Sequence, residues 1–178
     1  MVQEVSRDVW PVEIGERLRY RSQFVLGPRF VEDLPAWSRV ELGHGLRLSA
    51  HPDLPVTRVV DGPRAITLLG YMLDPFQPAA TDADLVRDLL ATLAAAGDLV
   101  EQTGRYGGRW ILIVDDGSSR RLFHDAIGMR QVYYTDVART GEVWCASQPG
   151  IVAGLLQLPV SEEALALLAA YPRPYGEH

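Results

Sequence analysis

Residues 121–136 read RLFHDAIGMRQVYYTD: a short apolar run, a His–Asp pair, a lone glycine and a tyrosine-rich run. A plain two-strand hairpin needs only Gly, Asn or Asp at its turn. Here His124, Asp125 and Arg130 flank Gly128. Either these charges line a pocket, or they stitch a connection between two strands. The choice fixes how the second half of the chain is put together. On the ordinary habits of turn residues, Asp125 caps turn amides and Gly128 takes a left-handed backbone position, which makes the stretch structural.

Outward from this stretch the chain is dense in strand patterns. WILIV (110–114), RRLFH (120–124), QVYYT (131–135) and EVWCAS (142–147) are separated by short Gly- or Asp-bearing turns. Earlier, SQFVLG (22–27), LRLSA (46–50) and AITLLGY (65–71) read as strands bounded by Gly27-Pro28, by proline and by Asp61-Gly62-Pro63. From Asp82 the period changes. Leu85, Val86, Leu89, Leu90 and Leu93 recur at helical spacing, Thr81 or Asp82 can cap the start, and Gly97 stops the run. Two more helical patterns follow at 150–156 and 161–170, the second with Ser161 as cap and Glu162 and Glu163 in its first turn. The first twenty residues show no clear period, and the tail YPRPYGEH breaks any helix. This order of elements predicts a layered α+β fold.

Bulk properties narrow the function classes. At 178 residues, with 47% hydrophobic and 22% charged residues, the chain is the size and composition of one globular domain. A formal net charge of −6 without basic clusters disfavours nucleic acid and anionic membrane as partners. Cys145 is the only cysteine, so disulfides do not staple the fold, and the mixed-charge start MVQEVSRDVW lacks a secretory apolar core; a cytoplasmic setting is expected. His44, His51, His124 and His178 make no metal-ligand pattern, and neither a phosphate-binding loop of the G-x-x-x-x-G-K-[ST] type nor a G-x-S-x-G nucleophile elbow occurs.

Taken in order, LGHGLRLSAHPDLPV (42–56), LLGYMLD (68–74), ATDADLVRDLL (80–90), GRYGGRWILIVDDG (104–117), LFHDAIGMRQVYY (122–134) and WCASQPGIVAGLL (144–156) resemble the glutaminase domain of asparagine synthetases. That domain is a class II glutamine amidotransferase with the N-terminal-nucleophile hydrolase fold. The family pattern runs R-L-S-I, N-G-E-I-Y-N, S-D-x-E before a helix, G-x-F-A-F-x-x-W-D, R-D-x-x-G-x-x-P-L-Y-Y and F-A-S-E-x-K-A-L. The resemblance covers about residues 42–156 and implies a four-layer αββα sandwich, with a glutaminase-like domain over 1–158. Residues 159–178 would be a helix and tail leading toward a synthetase domain. Residues 121–136 would then be a turn joining two core strands, with His124 in place of the family arginine and Gln131 in place of proline.

The family's functional residues carry over unevenly. Its reaction needs a cysteine at the mature N-terminus, because the thiol attacks the amide and the α-amine assists proton transfer. The chain begins Met1-Val2-Gln3, and Cys145 falls at the phenylalanine of F-A-S-E, where it reads as a small core residue. The oxyanion asparagine falls on Leu69, which has no donor, although Gly70 keeps its place. Arg47 and Asp82 match the family residues that grip the glutamine α-carboxylate and α-amine, which would leave a vestigial amino-acid or peptide pocket of Arg47, Gly70 and Asp82. A surface strand arginine and a helix N-cap are the plain alternatives for these two.

The resemblance therefore implies a domain without glutaminase activity. Its partner would be an ATP-dependent, amide-forming synthetase domain in cis or in trans, as in β-lactam synthetases and lasso-peptide cyclases. No catalytic residue, metal or cofactor is expected in this chain; ATP and Mg belong to that second domain, whose S-G-G-x-D-S signature is absent here. Two alternatives stand beside it. One is a free-standing binding or scaffold protein. The other is an active hydrolase whose nucleophile, Ser22 at the start of the SQFVLG strand, is exposed by processing.

Overall fold

Arg64–Leu73 (β5) and Gly107–Asp115 (β6) are the longest strands of the computed structural model, which describes residues 19–170. The start of the chain and the YPRPYGEH tail lie outside the described residues. These two strands pair antiparallel from Ala65↔Asp115 to Leu73↔Gly107. Val56–Asp61 (β4) flanks β5 and Arg120–His124 (β7) flanks β6, giving a four-stranded antiparallel sheet in the order β4-β5-β6-β7. A second antiparallel sheet has the order β2-β3-β1-β9-β8, built from Ser38–Gly43 (β2), Leu46–Ala50 (β3), Phe24–Gly27 (β1), Cys145–Ala146 (β9) and Tyr133–Tyr134 (β8). The helices are Asp82–Ala94 (α1), Leu99–Thr103 (α2), Val137–Thr140 (α3), Pro149–Leu155 (α4) and Glu162–Ala170 (α5). The fold is thus α+β, with two antiparallel sheets and accompanying helices.

Alternation along the strands sorts the apolar residues into three clusters. Ile66, Leu68 and Met72 of β5, with Trp110, Leu112 and Val114 of β6, meet the Leu85, Val86, Leu89, Leu90 and Leu93 stripe of α1. Burying each such side chain contributes about 1.5–3 kcal/mol. On the opposite face Leu69, Ile111 and Ile113 meet Phe24, Leu26, Leu48 and Ala50 of the second sheet. The outer face of that sheet, through Val25 and Ala146, packs with Trp37, Trp144, Ile151 and Val152, the last two from α4.

The cap of α1 is Thr81: its hydroxyl accepts from the Asp84 amide, and the Asp84 carboxylate accepts from the Thr81 amide. Asp82 is the first helical residue, not the cap.

The quoted stretch does not join two core strands. It leaves β7, the edge of the four-stranded sheet, and enters β8, the edge of the five-stranded one, so the connection steps from sheet to sheet. The strands expected over 131–135 and 142–147 shrink to two-residue ladders. The Trp144 amide is taken by the Thr135 hydroxyl at 3.0 Å, and this side-chain bond replaces a regular ladder bond at that point. β2 and β4 were not anticipated. No helix among the described residues is long and apolar enough to cross a membrane.

Candidate functional site

The turn after β7 is built on Asp125, which is almost fully buried. Its carboxylate accepts from the Met129 amide at 2.8 Å and the Arg130 amide at 3.2 Å, while its carbonyl accepts from the Gly128 amide at 2.9 Å. Burial works to raise the Asp125 carboxyl, but amide donors from Met129, Arg130, Trp110 and Ile127 outweigh it and hold the group below the usual carboxylate range. Gly128 sits at φ +65°, a left-handed position that closes the turn. His124 adds a 2.8 Å bond between its Nδ1 and the Asp125 carbonyl.

This turn aims Arg130 inward. The residue is 8% exposed, and its guanidinium donates from Nε to the Arg109 carbonyl (3.3 Å) and from Nη1 to the Ser22 carbonyl (3.0 Å). Those two bonds tie β6 and the residues before β1 to the turn. Burial pushes the guanidinium below the usual arginine range, Arg109 nearby acts the same way, and Asp125 and Tyr71 partly offset them.

Gly70 of β5 makes the room: at φ +102°, a Cβ there would collide with the Arg109 carbonyl oxygen and come within 2.9 Å of the Arg130 Nε. A cavity of about 340 Å³ opens beside these groups, lined by Gln23, Arg109, Gly128, Met129, Arg130, Gln131, Ser147 and Gln148. A second cavity of about 350 Å³ shares Gly128, Arg130 and Gln131 and adds His124, Val132 and Tyr133.

The residues singled out from the sequence are distributed differently. Arg47 bonds Glu41 (3.1 Å) and the Pro28 carbonyl, and its guanidinium lies over the Phe30 ring at 5.6 Å. Asp82 accepts from the Met72 amide at 2.8 Å, tying the start of α1 to β5. Among the described residues no ion pair links Arg47 to Asp82. Leu69 is fully buried between the sheets. Cys145 is half-buried against that same cluster, and burial pushes its thiol up.

Ser22 has φ +58°, its hydroxyl reaches the Asp53 carbonyl at 3.4 Å, and its own carbonyl is held by Arg130. The sequence does not single out Arg109, Gln131 or Gln148 as site residues, and it presents Arg130 only as one charge of the 121–136 turn. The available signal was Gln131, a polar residue where the resembled pattern has proline, directly after Arg130.

Among the described residues no group of three or more His, Cys, Asp or Glu is arranged to hold a metal. No protein-family model, no curated protein and no solved structure matches the chain.

Proposed function

We propose that this chain is a non-catalytic, glutamine-amidotransferase-like domain with a four-layer αββα arrangement of the N-terminal-nucleophile hydrolase type. In this reading it serves as the scaffold or docking domain of an asparagine synthetase-like, ATP-dependent amide-forming protein. The three stacked hydrophobic clusters support the layering, since α1, the four-stranded sheet, the five-stranded sheet and α4 follow one another through them.

The observation that carries the loss of catalysis lies at the start of β1, where such a fold presents its nucleophile. There Arg130 holds the Ser22 carbonyl at 3.0 Å and Ser22 sits at φ +58°. The single thiol, Cys145, is on β9 opposite Leu26 and packs against the cluster between the sheets. The position expected to supply an oxyanion donor is Leu69, and losing one such donor alone costs about 10²–10³ in rate. Docking is supported by α5, whose Leu165 and Leu167 are exposed; a partner surface would cover these residues.

The test is glutamate release from glutamine by the purified protein. No release above a heat-inactivated control is expected, and release abolished by a thiol- or hydroxyl-directed reagent would overturn the reading. Intact mass checks the Ser22 route separately: a species lacking the first 21 residues would revive it.

A further inference from the structure

Arg130 is a buried cation whose described hydrogen bonds go to two carbonyls, and among the described residues neither it nor Arg109 joins an ion pair. Taking a guanidinium out of water costs several kcal/mol unless an opposite charge or full hydrogen bonding offsets it. The nearest carboxylate, Asp125, is committed to the amides of its own turn.

The other polar groups of the cavity add donors. The Gln131 side-chain oxygen is occupied by the Tyr133 hydroxyl at 2.7 Å, which leaves its amide N–H groups available. Ser147 is turned away, accepting from the Phe24 amide at 2.9 Å. In a protein of net charge −6, this is a local concentration of positive charge and N–H donors around an open volume.

We propose that the cavity between Arg109 and Arg130 is a binding site for the carboxylate of a small organic acid. Arg130 and Gln131 would supply fixed donors, and Arg109, exposed at the mouth, would close over the ligand. The charge balance selects the ligand class: two guanidiniums against one Asp125 carboxylate leave a single positive charge, which matches a monoanion better than a phosphate dianion. A planar carboxylate also meets a guanidinium edge with two parallel hydrogen bonds. The volume exceeds what a lone carboxylate fills, so the rest of the acid has room toward Met129. The cavity borders Ser22 and Gly70, so it shares its location with the family reading, but the tests are separate: glutamate release bears on that reading and acetate binding on this site.

The experiment is an NMR titration of ¹⁵N-labelled full-length protein with acetate, acetamide and inorganic phosphate, following the amides of Gly128 to Gln131 and of Gln148. Acetate is expected to shift these signals saturably, acetamide to leave them in place, and phosphate to bind more weakly than acetate. Arg109→Gln keeps the fold, because this side chain is exposed, and should weaken acetate binding by about tenfold, as expected for one charge-assisted contact. Arg139→Gln, the same charge change on the exposed α3, which does not line the cavity, should not alter it. The proposal is overturned if acetate does not saturate, if acetamide matches it, if phosphate binds more tightly, or if the two variants behave alike.

Discussion

Leu69 lies fully buried between the sheets, against Phe24, Leu48 and Ile111. Restoring the asparagine that the family pattern would put there therefore does not restore an oxyanion donor. Leu69→Asn should place an unsatisfied amide in an apolar cluster and destabilise the protein by about 3 kcal/mol, without glutaminase activity. Urea unfolding and the glutamate assay read the two halves of this expectation.

Asp125 makes a second residue-scale prediction through its depressed carboxyl. A carboxyl held below its unfolded value contributes stability that is complete above about pH 4 and is lost as pH falls through the folded value. Asp115, Asp116 and Glu142 are depressed too and act in the same direction. Asp125→Asn should therefore lower stability at pH 7 by about 1–3 kcal/mol and make the acid limb shallower without abolishing it. An unchanged slope between pH 5 and pH 3 would contradict the role assigned to this carboxyl.

At the scale of elements, α1 depends on a reciprocal cap as well as on its apolar stripe. Thr81→Ala should cost about 1 kcal/mol in equilibrium unfolding, and an unchanged urea midpoint would show that the strand bond from Asp82 suffices. Helix α1 was readable because five buried residues repeat at helical spacing behind a Thr-x-x-Asp cap. Strands β5 and β6 were readable as continuous apolar runs, since both of their faces are covered. β2 was not, because Ser38, Arg39, Glu41 and Gly43 face solvent and leave only Val40 and Leu42 as signal. β4 carries Thr57 and Arg58 between its valines and ends exposed, which hides the same edge character. The local pattern around 121–136 predicted the turn chemistry correctly in kind, but no local pattern says that the strands on either side belong to different sheets. The pocket was hidden for a related reason: Arg109, Arg130 and Gln148 are far apart in sequence, and only sheet stacking brings them together.

For the molecule as a whole, contacts among the described residues concentrate between Phe24 and Leu156, and α5 shares no extensive contact with any other described element. Among the described residues, limited proteolysis should thus cut first in the segment from Gln157 to Ser161, which precedes α5. The fragment ending there should keep a urea midpoint equivalent to within about 0.5 kcal/mol of the intact chain. A larger loss would mean that α5 stabilises the sheets. In the docking role proposed above, adding the partner domain should slow cleavage at this segment.

The strand order carries a consequence for how the protein is made. β4 through β7 pair in sequence order over residues 56–124, with α1 and α2 inserted between β5 and β6, so this sheet and α1 can assemble as soon as that stretch leaves the ribosome. β1 pairs on one side with β9, so its sheet stays incomplete until about 120 further residues have been synthesised, at a few to about 20 per second. During that time β1 and β3 are already available to cover Leu69, Ile111 and Ile113, but the β9 side of β1 remains an unpaired edge. The nascent chain is most exposed to self-association in that interval, and slower translation of residues 125–146 would lengthen it.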